Sequence, residues 1–189
     1  MKNSVQRLFT AFRPVATIAL GCAVVAATAG TPARADSDAD RSAIGLKIAP
    51  VPLNMKGLNP TNVGLGSYWV TVASCSGCHT TPEFKTGSDP FNGDPKTAVD
   101  PSAYFAGGVG FGPGVCSANI TPDKNRLPAG LTLSNFISAM RTGHDFRDPK
   151  GDLLQVMPWP YFRHLMTKDL AAIYAYLRAL PSNATKTCS

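Results

Sequence analysis

Cys75, Cys78 and His79 stand together in the run "SYWVTVASCSGCHTTPEF". Two thiols three residues apart, with an imidazole directly behind, can do three kinds of chemistry. They can contribute to a zinc site, act as a redox dithiol, or anchor a haem. A structural zinc site asks for four donors, and the remaining His144, His164, Cys116 and Cys188 show no paired spacing. A thioredoxin-like dithiol belongs in a βαβ setting, which this sequence lacks. The Cys-x-x-Cys-His spacing is itself the attachment signature of c-type haem. In that chemistry each thiol adds to one vinyl group of the ring, so that Cys75 and Cys78 become thioethers and His79 becomes the proximal iron ligand.

A distal ligand has to come from elsewhere, and a thioether suits an iron that cycles one electron. Met55 lies in a stretch without period, and Met140 and Met166 sit at helical spacing among apolar residues, where a methionine fills core. Met157 stands in irregular chain, in "LLQVMPWPYF", where Pro158 and Pro160 stiffen the backbone and would project the sulfur. It is the expected distal ligand. His144 is the rival, since His/His haems exist, but it directly follows Gly143 at a helix end, where it can serve the last carbonyls. His164 reads as a surface or core histidine.

The elements that must position these groups are helical. "GLGSYWVTVAS", residues 64–74, predicts a short helix capped by Asn62, although its Val and Thr residues are mediocre helix formers. "TLSNFISAMRTG" predicts a helix capped by Thr132 and stopped by Gly143, with Phe136, Ile137 and Met140 at helical spacing. "TKDLAAIYAYLRALP" predicts a final helix capped by Thr167 and ended by Pro181, with Leu170, Ile173, Tyr174, Leu177 and Leu180 on one stripe. No strand-like alternation of any length occurs. From Thr80 to about Leu131 no period survives, and Gly and Pro recur, as in "GGVGFGPG". So long a loop inside a compact domain makes sense if it wraps a ligand. The glycines there lack the strand-then-helix setting of a nucleotide site.

Residues 1–35 read as a secretory signal: Lys2, Arg7 and Arg13 in front, an apolar run from about Val15 to Gly30, and Ala33-Arg34-Ala35 as a small-x-small cleavage site. An uncleaved anchor or a lipid on Cys22 are the competing readings, and only these would bring the protein to a membrane. With Arg34, the signal holds four basic residues and no acidic one, so its removal lowers the net charge of +6 by four, to +2. No Lys/Arg run remains to form a nucleic-acid surface. Residues 36–62 mix charges with Pro and Gly without a sustained period and are expected as an extended arm, leaving residues 63–189 as the folded domain.

Taken in order, "GSYWVTVASCSGCHT", "FAGGVGFG", "SANITPD", "FISAMRTGHD", "MPWPYF" and "DLAAIYAYLRALP" resemble a class I cytochrome c, and more narrowly the monohaem cytochrome c domains associated with periplasmic alcohol, gluconate and related dehydrogenases. The resemblance covers roughly residues 64–181. It implies a mostly α, cytochrome c-like fold, its first and last helices crossing beside one covalently attached haem c with the loops closing round it. It repeats the roles of Cys75, Cys78, His79 and Met157, and makes Asn119, Ile120, Thr121 and Arg141 candidates to line the haem, Arg141 by pairing with a propionate. The implied function is electron transfer rather than catalysis. The chain would be a periplasmic carrier between a donor such as a dehydrogenase and a respiratory acceptor such as an oxidase. The alternatives are a haem enzyme or gas sensor with an exchangeable sixth ligand, and a fixed subunit of a dehydrogenase complex. Dehydrogenase subunits of this family often string several such domains together, whereas this chain has one Cys-x-x-Cys-His and no internal repeat. Setting aside the haem thiols and Cys22 leaves Cys116 and Cys188, a candidate disulfide in an oxidising compartment.

Overall fold

The computed structural model describes residues 37–93, 95–148, 151 and 153–188; the expected secretory signal lies outside them. Among the described residues seven helices follow in order: α1 (Asp38–Ile48), α2 (Pro60–Val72), α3 (Cys75–His79), α4 (Pro95–Ala98), α5 (Leu133–Thr142), α6 (Trp159–Phe162) and α7 (Thr167–Ala179). Among the described residues there is no strand, only the isolated bridges Thr80–Gly107, Gly110–Cys116 and Pro122–Pro128. The mostly α class is as expected, and so is the loop-rich stretch after Thr80, which gains only the single turn of α4.

The arm is not extended. Ser37 begins α1 with a capping box: its hydroxyl accepts from the Asp40 amide, and the Asp40 carboxylate accepts from the Ser37 amide. The face that α1 buries carries Ser42 and Gly45 rather than large apolar residues, which is why no hydrophobic period announces it. It packs by close backbone approach: a Cβ on Gly45 would lie 1.9 Å from the Gly64 carbonyl oxygen of α2. Ser67 of α2 then donates to the Gly45 carbonyl at 2.8 Å.

α2 starts earlier than Asn62. Asn59 is the cap, its side chain accepting from the amides of Thr61 and Asn62, and Pro60 fills the first helical position, where a missing N–H costs nothing. Two residues on from Gly64, roughly the opposite side of the helix, Gly66 lets α7 in: a Cβ there would sit 2.0 Å from the Ala172 carbonyl oxygen. α2 is thus clasped by α1 on one side and α7 on the other. Val63, Val70, Leu170, Tyr176 and Leu177 are fully buried between them. Each such side chain contributes about 1.5–3 kcal/mol of apolar burial, so a bulky residue at Gly66 would undo the crossing that aligns the site.

α5 forms between Thr132, whose hydroxyl accepts from the Asn135 amide, and Gly143, which closes the helix at φ +75°. α7 starts one position earlier than a Thr167 cap requires: Met166 is the N-cap, 64% exposed, and not core filling as its spacing suggested. Its stripe of Leu170, Ile173, Tyr174 and Leu177 is buried as predicted.

Candidate haem site

Ser74 adopts a left-handed conformation (φ 53°, ψ 38°), breaking the chain between α2 and α3 and re-aiming the short helix. Within α3 the thiols and the imidazole fall at i, i+3 and i+4, one face of a single helical turn. Cys75, Cys78 and His79 accordingly line one cavity. Its walls are apolar: Val70 and Ala73 from α2, Phe136 and Met140 from α5, Phe162 from α6, and Ile173 and Leu177 from α7. Met157 lines the same cavity, so the four residues singled out for axial and covalent roles meet in one place.

A second lobe shares His79, Ile120, Phe136, Met140, Met157 and Leu177 with the first. It differs in polarity. Asp145 and Arg147 line it as a fork, the Arg147 Nη2 lying 2.5 Å from a carboxylate oxygen of Asp145. The hydrogen bond from Arg147 holds the Asp145 carboxyl below its usual range.

His79 is held from behind. Its Nδ1 lies 2.8 Å from the Ala118 carbonyl oxygen, and a carbonyl can only accept, so Nδ1 carries the proton and Nε2 keeps its lone pair. Burial pushes the imidazole pKa down, opposed by that hydrogen bond and reinforced by the positive Arg147, so the ring is neutral and able to ligate.

The carbonyl reaches His79 because two loop segments run unusually close. Gly107, at φ +74°, bridges Thr80 and donates its amide to the His79 carbonyl at 2.8 Å. A Cβ on Gly107 would lie 2.6 Å from backbone atoms of Ser117, Ala118 and Asn119. Only glycine fits between. The buried Thr80 hydroxyl accepts from the Phe105 amide at 3.1 Å, fixing the same crossing from the other end.

Met157 is held differently. Trp159 packs against Gly143, where a Cβ would come 2.3 Å from the indole, and its Nε1 donates to the Leu154 carbonyl at 3.0 Å. Leu154 in turn donates its amide to the Gly143 carbonyl at 2.9 Å. The prolines of "MPWP" thus bracket an indole that ties the methionine loop to the end of α5.

The other candidates divide. Ile120 lines both lobes. Asn119 and Thr121 do not line the cavity: the Asn119 side chain accepts from the Thr121 amide and hydroxyl and donates to the Asn183 carbonyl, fastening the loop to the C-terminal tail. Arg141 is also absent from the lining, since its guanidinium is spent on the Arg163 carbonyl and the Thr167 hydroxyl. Arg147, six residues further on, lines the polar lobe instead, paired with Asp145. Spacing alone could not choose between the two arginines; the turn after Gly143 decides which one faces inward. His144 and His164 are exposed and line neither lobe. Met55 packs at the edge of the core, away from both.

The rival chemistries fare poorly against this geometry. Among the described residues no three His, Cys, Asp or Glu side chains cluster to hold a metal ion, so zinc would lack donors. A redox dithiol needs an activated thiol, whereas burial, helped by Cys78, pushes the Cys75 thiol up to about 12. An iron porphyrin brings four nitrogens of its own. Two thiols on one edge, one neutral imidazole, one thioether, apolar walls and a charged arginine at the far lobe fit that group. There the residues to hold it would be Cys75, Cys78, His79 and Met157.

Comparison with known proteins agrees. The chain is similar to the cytochrome c subunits of dehydrogenases. It is 28% identical over 119 residues to the fructose dehydrogenase cytochrome subunit of Gluconobacter japonicus, covering 61% of this chain and 21% of that protein. It is 29% identical over 114 residues to the cytochrome c subunit of the quinone alcohol dehydrogenase of Gluconobacter oxydans (strain 621H), covering 59% and 20%. With the gluconate 2-dehydrogenase cytochrome c subunit of Pantoea cypripedii it shares 27% over 118 residues, covering 62% and 23%. The match spans about a fifth of the length of these relatives. No family model and no solved structure matches the chain. A cytochrome c-like fold is in keeping with the helical, strand-free architecture. Among the described residues no helix is long and apolar enough to cross a membrane.

Proposed function

We infer that the chain is a periplasmic electron-transfer cytochrome with one haem c, attached through Cys75 and Cys78 and ligated by His79 and Met157. The observation that carries this reading is the 2.8 Å contact between His79 Nδ1 and the Ala118 carbonyl, which leaves Nε2 unprotonated and aimed into the cavity that Cys75, Cys78 and Met157 also line. A haem bound there supplies an iron that alternates between ferrous and ferric states. The chain's own part is to keep His79 a neutral donor and to block the sixth position with a thioether. Its apolar walls exclude water, and Arg147 offsets negative charge at the polar lobe.

The donor is a dehydrogenase and the acceptor a respiratory oxidase or its equivalent. The relatives are named as subunits of dehydrogenases, which favours stable residence in such a complex as the second reading; co-purification at stoichiometric yield would separate a subunit from a free shuttle.

The test is the absorption spectrum of protein matured with a c-type haem assembly system, oxidised, reduced and then exposed to carbon monoxide. A covalent, six-coordinate low-spin haem that ignores carbon monoxide is expected. Ready carbon monoxide binding would replace the carrier by an enzyme or gas sensor, and the absence of covalent haem would return Cys75, Cys78 and His79 to thiol or zinc chemistry.

A further inference from the structure

The C-terminal tail after α7 is laced to the loop that orients His79. Asn183 donates its side-chain amide to the carbonyls of Pro101 and Tyr104, at 2.9 and 3.0 Å, and its backbone amide to the Thr121 hydroxyl. Lys186 donates its amide to the Ala106 carbonyl at 3.1 Å. Gly108 accommodates the same strap: a Cβ there would lie 2.6 Å from the Lys186 Cβ. The lacing ends at Cys188, whose thiol lies 3.9 Å from the Val115 carbonyl and within hydrogen-bonding reach of Cys116. Residues 72 positions apart in sequence thus bring two thiols together, both exposed and both held as free thiols.

This pair differs from Cys75 and Cys78 in exposure. The haem thiols face the apolar cavity; Cys116 and Cys188 are open to a soluble oxidant. Cys116 is also two residues from Ala118, whose carbonyl fixes the proton on His79 Nδ1.

We propose that Cys116 and Cys188 are a site of reversible disulfide formation, a covalent clasp that fixes the C-terminal tail against the loop carrying the Ala118 carbonyl. The oxidant is a disulfide of the glutathione class. One cysteine thiolate attacks it and expels a thiolate, and the second cysteine displaces the other half. The two cysteines give up two electrons and two protons in all, and the oxidant leaves as two thiols. Cys116 also lines the polar lobe, but the thiol exchange needs no haem, so the proposal holds or fails independently of the haem reading.

The full chain, matured and purified, is treated with oxidised glutathione or with dithiothreitol, denatured, alkylated and weighed by mass spectrometry. The expected result is two more alkylated thiols in the reduced sample, a cross-linked peptide pair containing Cys116 and Cys188 in the oxidised one, and no such increment in Cys188→Ser. Amide exchange at Lys186 should be severalfold faster in reduced protein and in Cys188→Ser than in oxidised parent protein. Because peptide mapping follows Cys75 and Cys78 separately, a failure of haem attachment would leave this result readable. An unchanged thiol count at Cys116 and Cys188, stable mixed disulfides with glutathione in place of the cross-link, or a disulfide between two chains would each overturn the proposal.

Discussion

The two sides of the cavity are built to different standards. On the His79 side the backbone does the holding: the His79 carbonyl, Gly107, Thr80, Phe105 and Ala118 interlock through hydrogen bonds of 2.8–3.1 Å, and Thr80, Phe105 and Gly107 are buried. On the Met157 side a short loop is tied to the end of α5 by the Leu154 amide and to Trp159 by the indole bond and the Trp159 amide on the Met157 carbonyl, and Leu153 and Val156 remain 38% and 41% exposed. The contrast assigns unequal tasks. The imidazole side is the fixed reference, and the thioether side is where the site opens first.

Removing the thioether should break the comparison most visibly. Met157→Ala is expected to convert a site indifferent to carbon monoxide into one that binds it, with a lowered reduction potential, read by spectrum and redox titration. An unaltered spectrum and potential would remove Met157 from the iron. Next in size, Gly107→Ala forces a Cβ into backbone at 2.6 Å on an unfavourable φ and should cost about 3 kcal/mol in denaturant unfolding, because that side has no slack.

The reason these residues could or could not be found from sequence is itself physical. Cys75, Cys78 and His79 were legible because covalent attachment fixes a spacing, and α5 and α7 because Thr132, Gly143 and the apolar stripe each leave a mark in residue type. Met157 stood out through its prolines. The Ala118 carbonyl was invisible, since a backbone acceptor carries no residue identity, and α1 was missed because Ser42 and Gly45 bury backbone rather than side chains. Arg147 carried no mark in the sequence, because only the path of the loop after Gly143 brings it to the polar lobe.

A smaller effect concerns the floor of the His79 side. The hydroxyls of Tyr104 and Tyr176 share a buried hydrogen bond of 3.1 Å, and burial pushes Tyr176 up from 10.0 to about 12 and Tyr104 well above its ordinary value. Because the folded pair holds its protons more tightly than the unfolded chain, stability is full below pH 10. It should fall as pH rises from 10 towards 12, on the order of 1 kcal/mol per pH unit for Tyr176. Alkaline unfolding monitored by tyrosine absorbance checks this, and a Tyr176→Phe variant should flatten the slope. Smallest of all, Trp159→Phe removes the bond to the Leu154 carbonyl and should cost about 1 kcal/mol while speeding carbon monoxide entry in the reduced protein. A change in stability without a change in entry would mean that the indole supports the fold and not the gate.

The hydrogen bond behind His79 has a genetic consequence. Its acceptor belongs to the main chain, so no single amino-acid replacement can delete it, and a Ser in place of Ala118 would leave the contact standing. Damage can come only through neighbours that alter how closely two strands of chain approach, Gly107 foremost. In a saturation screen the residue that touches the ligand's back would look dispensable, and the one packed against it, which has no side chain at all, would look essential.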